Sequence, residues 1–171
     1  MRALSLIAVL VLAACEAPQQ RLDAAEDIHA FLAAAKAGDR AGFDRHVDRE
    51  ALKVQLGGEM NRIIEENSPG LPVAARGPLL DQLVESLGPE AFQMAVRGTP
   101  LADRTPSAPE LAAVLKPLGD DRVCLPREVG SDACSATFQR QGDVWKLVAV
   151  DASGIRMGPA AIGDMLEQFP R

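Results

Sequence analysis

Residues 121–150, DRVCLPREVGSDACSATFQRQGDVWKLVAV, decide the fold class. From Asp121 onward apolar and polar residues alternate, the period of a strand. Upstream they recur at helical spacing. Residues 122–125 read as a first strand, 133–140 as a second and 144–150 as a third. Gly142-Asp143 is a two-residue hairpin connection. It sets Phe138 opposite Leu147, and Arg140 opposite Trp145. Cys134, Ala136 and Phe138 fall on one face of the second strand. The third strand carries apolar residues on both faces, the pattern of a central strand.

Working back from the strands, the chain is helical. Asp23 is placed to cap a helix running to about Lys36, with Ile28, Phe31, Leu32 and Ala35 at i, i+3, i+4 and i+7. Gly38 stops it. Asp39 caps a short helix that turns Phe43 and Val47 inward, and Asp48 caps a longer one with the stripe Leu52, Leu56, Met60 and Ile63. Gly57-Gly58 interrupts that stripe and predicts a bend. Residues 67–72 (NSPGLP) are a breaker cluster. A helix to about Leu87 follows, burying Leu79, Leu80, Leu83, Val84 and Leu87. Gly88-Pro89 ends it and starts another that carries Phe92 and Val96. Residues 98–106 read as an irregular linker. Ser107 and Glu110 have capping-box spacing before Leu111, Val114 and Leu115, and Pro117 stops that helix. Downstream of the strands, Ile162, Met165, Leu166 and Phe169 predict a C-terminal helix packing back on the body. The fold expected is therefore α+β: N-terminal helices packed on a C-terminal antiparallel meander of three strands, or four, with a C-terminal helix.

The chain opens with a different signal. Met1-Arg2 is followed by a run, 3–14, that is apolar except for Ser5 and ends in Leu12-Ala13-Ala14-Cys15. A basic start, a short apolar run and small residues before a cut site describe an export signal. The run falls short of the ~20 residues that span a bilayer. Leu-Ala-Ala-Cys resembles the lipobox of bacterial lipoproteins. That resemblance implies cleavage before Cys15 and acylation of its thiol, and it divides the chain into a signal peptide (1–14), a lipidated N-terminus and tether (15–21) and one α+β domain (22–171). The 157 residues left after cleavage are enough for one domain with a sizeable core. Glu16 follows the lipid cysteine. In bacterial lipoproteins an Asp there often signals inner-membrane retention, so the resemblance favours the outer membrane, facing the periplasm.

Loss of Arg2 with the signal takes the formal charge from −6 to −7, and Lys and Arg are nowhere clustered. Nucleic-acid binding needs grouped cations, and anionic lipid attracts them too. Neither partner is expected, and attachment falls to the lipid at Cys15. The remaining cysteines, Cys124 and Cys134, form an even pair in an exported chain, where a disulfide is the expected outcome. Redox pairs usually sit as Cys-x-x-Cys, and zinc sites need more ligands at closer spacing.

A segment of the N-terminal half carries a second resemblance. Ala37-Gly38-Asp39-Arg40-Ala41-Gly42-Phe43, then Val47-Asp48, then Ala51-Leu52-Lys53-Val54-Gln55-Leu56 are similar to an uncharacterised bacterial envelope family, domain-of-unknown-function family 2939, as is Gly88-Pro89-Glu90-Ala91-Phe92. The likeness covers residues 27–98, and Arg49 stands where that family tends to have an aromatic residue. It implies no activity. Helices followed by a curved meander also resemble the nuclear-transport-factor-2-like cone fold in their order, which says nothing of function.

Few residues are candidates for chemistry. His29 and His46 are the only histidines, and a metal or nucleophile–base site would need them to converge with cysteines or carboxylates. Asp39 and Asp48 can serve as general acids, but both stand where helix caps belong. Trp145 reads as an anchor of the sheet. Met60, Met94 and Met165 add adaptable apolar surface. No phosphate loop, dinucleotide fingerprint, calcium loop or nucleophile elbow is present. The expectation is an envelope protein that binds a protein or a small apolar ligand, with no catalytic set, metal or cofactor. The rival is an envelope enzyme with its site in a helix–sheet pocket.

Overall fold

The computed structural model describes residues 3–67, 73–95, 97, 103–119, 121–128 and 130–151, excepting the side chains of 3–18, 63–64, 66–67, 73–75 and 95. Among the described residues the helices α1 (Ala3–Ala37), α2 (Arg40–Arg45), α3 (Arg49–Asn67), α4 (Val73–Ser86), α5 (Pro89–Ala95) and α6 (Ala108–Val114) come first. Four strands follow: β1 (Lys116–Pro117), β2 (Arg122–Pro126), β3 (Cys134–Gln141) and β4 (Val144–Val150). They form one antiparallel meander in the order β1-β2-β3-β4, so the fold is α+β with a four-stranded sheet.

Helix α1 is the axis of the core. Ala24, Ala25, Ile28, Phe31, Leu32 and Ala35 are all buried, which extends the expected stripe one turn toward the N-terminus. Phe31 sits at the centre. Its ring lies 4.9 Å from Phe43 of α2, 5.3 Å from Phe92 of α5 and 5.8 Å from Phe138 of β3. The last two contacts are edge-on, the arrangement that ring quadrupoles favour. One residue thus ties two short helices and the sheet to α1. Gly38 ends the helix with φ +71°, a conformation that glycine adopts without steric cost.

The caps expected at Asp39 and Asp48 and the Ser107–Glu110 capping box form. Asp39 accepts from the Gly42 amide at 3.0 Å, and Asp48 from the Ala51 amide at 2.9 Å. Glu110 accepts from the Ser107 amide at 2.8 Å. Arg104 and Ser107 together draw the Glu110 carboxyl down to about 2.

Several expectations are corrected. The helix predicted from Asp23 begins earlier: residues 16–21 belong to α1. Gln19 and Gln20 are good helix formers; Gln19 donates to Asp23 one turn on, and Gln20 donates to the Gly119 carbonyl at 2.8 Å. Helix α3 continues through Gly57-Gly58. Gly57 there lets Leu80 of α4 approach, because a Cβ would stand 3.0 Å from Leu80 Cδ2. Pro117 does more than stop a helix. With Lys116 it pairs with β2 as an edge strand, a place where its missing N–H is tolerated.

The strand expected to be central, 144–150, is the last in the sheet, and β3 is interior. The Phe138–Leu147 and Arg140–Trp145 registers hold. A register shift between Thr137 and Phe138 places Val148 as an extra residue in β4, and such a bulge disturbs the simple alternation. The outer edge of β4 is also covered. Val47 bridges Leu147 in parallel, Asp48 N donates to Leu147 O at 3.0 Å, and Leu147 N donates to His46 O at 2.8 Å. Helices α1 and α3 both contact this strand and residues 46–48 pair with its edge, so it is enclosed without two flanking strands.

The predicted C-terminal helix and the breaker at 67–72 lie outside the described residues, apart from Asn67 as the last residue of α3. Among the described residues no helix is long and apolar enough to cross a membrane.

Candidate functional site

Helix α3 positions the site, so its anchorage comes first. At its start Asp48 caps the helix and accepts from Gln141 Nε2 of β3. Bonds from Ala51 and Gln141 hold the Asp48 carboxyl below its ordinary value of 3.8. Arg49 then reaches across to α4. Its guanidinium donates to the Val84 carbonyl, to Leu87 O at 2.8 Å and to Asp44. Arg40 donates to Glu85 O at 3.1 Å and to Asp44 Oδ2 at 3.0 Å. Two arginines thus satisfy the carbonyls at the end of α4, where a helix leaves its acceptors unpaired and its dipole favours positive charge. Burial alone would raise the Asp44 carboxyl, but the two arginines outweigh it and the carboxyl lies below its ordinary value. Gly88 makes room for this clamp, since a Cβ there would meet Arg40 Nη1 at 2.6 Å.

Two turns further on, Gln55 takes the place of a neighbouring strand. It donates to Val150 O at 3.1 Å and accepts from Val150 N at 3.3 Å. Beyond Gln55 the helix and the sheet leave a cleft of about 270 Å³. Ala136, Thr137, Ala149 and Val150 line it from the sheet, with Cys134 and Asp151 at the strand ends and Gln55, Glu59 and Arg62 from α3. The small side chains make the space. Glu59 and Arg62 pair at 2.9 Å, and Asp151 pairs with Arg127, so the charged groups at the rim have partners of opposite sign. The volume falls just below the common range of small-molecule pockets.

No protein-family model, curated protein or solved structure matches this chain. What the site can do is therefore read from its own residues.

The structure brings Cys124 and Cys134 together. Their sulfurs stand 2.08 Å apart and their Cα atoms 5.5 Å apart, on the neighbouring strands β2 and β3. In strict alternation Cys134 would share the face of Phe138 and point away from Cys124. The register shift between Leu125 and Pro126, where Pro126 pairs with Cys134, removes that conflict. Cys15 lies on α1 with its side chain outside the described residues.

The other candidates disperse. His29 Nδ1 is 2.7 Å from Pro106 O, the bond of a ring N–H that ties α1 to the start of α6. His46 is 6 % exposed, with Nδ1 3.4 Å from Trp145 O. Asp39 and Asp48 are caps, and Trp145 is a buried anchor of β4. Met60 is half-buried and Met94 is exposed; neither lines the cleft. Among the described residues no three His, Cys, Asp or Glu side chains gather where they could hold a metal ion.

Three structural residues were missed in the sequence. Arg49 stood out only as a departure from a resembling family. Asp27, which accepts from the Trp145 amide at 2.7 Å, and Gln55 both border apolar stripes. That position marks a polar side chain able to reach a neighbour, but it does not say which backbone group it meets.

Proposed function

We propose that this chain is a lipid-anchored protein of the bacterial cell envelope, attached through Cys15 and facing the periplasm, and that its domain is a binding module with a small apolar ligand or side chain seated between α3 and the β3–β4 ends. The anchor rests on the Leu-Ala-Ala-Cys end of a short apolar run. Glu16 after the cysteine favours the outer membrane. The observation that carries the binding reading is the cleft itself: a space of about 270 Å³ lined from the sheet by Ala136, Ala149 and Val150, whose charged rim residues each have a partner of opposite sign. Small apolar side chains on the sheet face polar ones from α3 across the cleft, a mixed lining that can hold and orient a ligand, and the candidate acids and histidines are engaged in capping and packing elsewhere.

The test compares wild type, Cys15→Ser and Ala149→Phe in crosslinked cells, with native mass spectrometry of the extracted protein. Cys15→Ser should remain uncut and take up no labelled fatty acid. Ala149→Phe should stay anchored and folded but lose its crosslinked partner or co-purifying ligand by at least tenfold. Normal lipidation of Cys15→Ser removes the anchor from this proposal, and an unchanged ligand in Ala149→Phe removes the cleft. Turnover of a hydrolase substrate that Glu59→Gln abolishes in a folded protein would replace binding with the enzyme reading.

A further inference from the structure

The two residues of the Cys124–Cys134 pair differ in exposure. Cys124 is 1 % exposed, packed within β2. Cys134 is half-buried and lines the cleft, and Cys124 does not. Thiol–disulfide exchange is sensitive to this difference. The attacking thiolate approaches one sulfur in line with the S–S bond and expels the other, so access decides which sulfur is attacked.

We propose that the cleft is a port for thiols and that Cys134 is the exchange site of the pair. A thiolate entering past Glu59 and Arg62 attacks Cys134 Sγ. A bond forms between its sulfur and Cys134, the Cys134–Cys124 bond breaks, and Cys124 leaves as a thiolate that takes up a proton from water. A second thiol then attacks the sulfur of the first reagent in the mixed disulfide. That step releases a small disulfide and the Cys134 thiolate. Two thiols are oxidised to one disulfide and the protein pair is reduced by the same two electrons. The reagent class is a small thiol or an exposed cysteine of a partner protein. Because the rim charges are paired, no charge on the reagent is required.

The exchange has a structural consequence. Ala136 lies two residues from Cys134 and is part of the cleft wall, and β2 and β3 are joined there across a register shift. Opening the bond releases the start of β3 and with it one side of the cleft. The redox state of the pair would thereby set the shape of the space, whether or not that space seats a ligand.

The test uses the oxidised full chain and glutathione, with acid quenching and peptide mapping of the mixed disulfide. Adducts at Cys134 should exceed those at Cys124 by at least tenfold, at a rate that sub-denaturing urea leaves unchanged. Comparable adducts at Cys124, or exchange confined to urea concentrations that unfold the chain, overturn the proposal. A second arm needs no mixed disulfide. In a Cys15→Ser background, the single thiol left in Cys124→Ser should react with an aryl disulfide at least tenfold faster than the one left in Cys134→Ser, both checked for folding by circular dichroism. Equal rates in folded variants also overturn it.

Discussion

The two ends of α3 carry similar polar residues and put them to different ends. At the N-terminal end Asp48, Arg49, Asp44 and Gln141 are used up by backbone and by one another, and the carbonyls of Val84 and Leu87 are satisfied across to α4. Past Gln55 the same helix presents Glu59 and Arg62, which pair with each other and stand beside an open space. Charge on a helix therefore does not mark a site. What separates the ends is whether neighbouring backbone groups need that charge. The N-terminal end has orphan helix carbonyls to satisfy. The C-terminal end faces strand ends already served by Gln55.

The sharpest way to break the comparison is to remove one arginine from each end. Arg49→Ala leaves the Val84 and Leu87 carbonyls and the Asp44 carboxylate without their shared donor. Hydrogen bonds to a charged group contribute roughly 1.5–3 kcal/mol; Asp44 keeps Arg40 and Val84 O keeps the Leu87 amide, so a cost of about 2 kcal/mol is expected. Arg62→Ala removes an exposed i,i+3 pair of the kind whose contribution is below about 0.5 kcal/mol. Urea denaturation of both variants measures the difference. Equal losses would mean that the clamp is no more than a surface ion pair.

A smaller effect comes from the cap. Asp48→Ala should cost about 1 kcal/mol, the usual contribution of an N-cap. Asp48→Asn keeps a capping oxygen and should lose less at neutral pH. The two also separate in acid. Asp48 has its folded value below the ordinary 3.8, so the stability it contributes is present above that value and is lost as pH falls through the folded one. Wild type should weaken progressively below about pH 4, and Asp48→Asn should weaken less steeply over the same window. Parallel acid curves would show that the carboxylate is not the group being titrated. Thermal melts from pH 6 to pH 2.5 make the measurement.

These residues also show where sequence reading stops. The stripe on α1, the caps at Asp39 and Asp48 and the hairpin at Gly142-Asp143 were legible because each depends on residues within a few positions of one another. The cysteine pair was legible from chemistry and count. The place of β4 was not, because its edge is covered by residues 46–48, about 100 positions away in the chain. The cleft left no trace either. It is made by small residues, Ala136 and Ala149, which in sequence look the same as small residues packed in a core.

The smallest effect expected lies midway along α3, at the two glycines between its ends. Both are helical, and Gly costs a helix interior about 1 kcal/mol relative to Ala, so alanine at either position gains helix propensity. Their surroundings differ. Nothing lies within 4 Å of a Cβ built on Gly58, whereas one on Gly57 would meet Leu80 Cδ2 at 3.0 Å. Gly58→Ala should therefore stabilise by roughly 0.5–1 kcal/mol. Gly57→Ala must displace the tip of a half-buried leucine that packs against the core. Crowding of that kind offsets the gain, and a net change near zero is expected. Paired urea curves resolve the two. A stabilisation of the same size in both would show that α4 yields freely at Leu80, and that the close approach of α3 and α4 is not what keeps Gly57 a glycine. Destabilisation by Gly58→Ala would mean that the helix is not regular at that residue, and that the closed and open ends of α3 are separate segments after all.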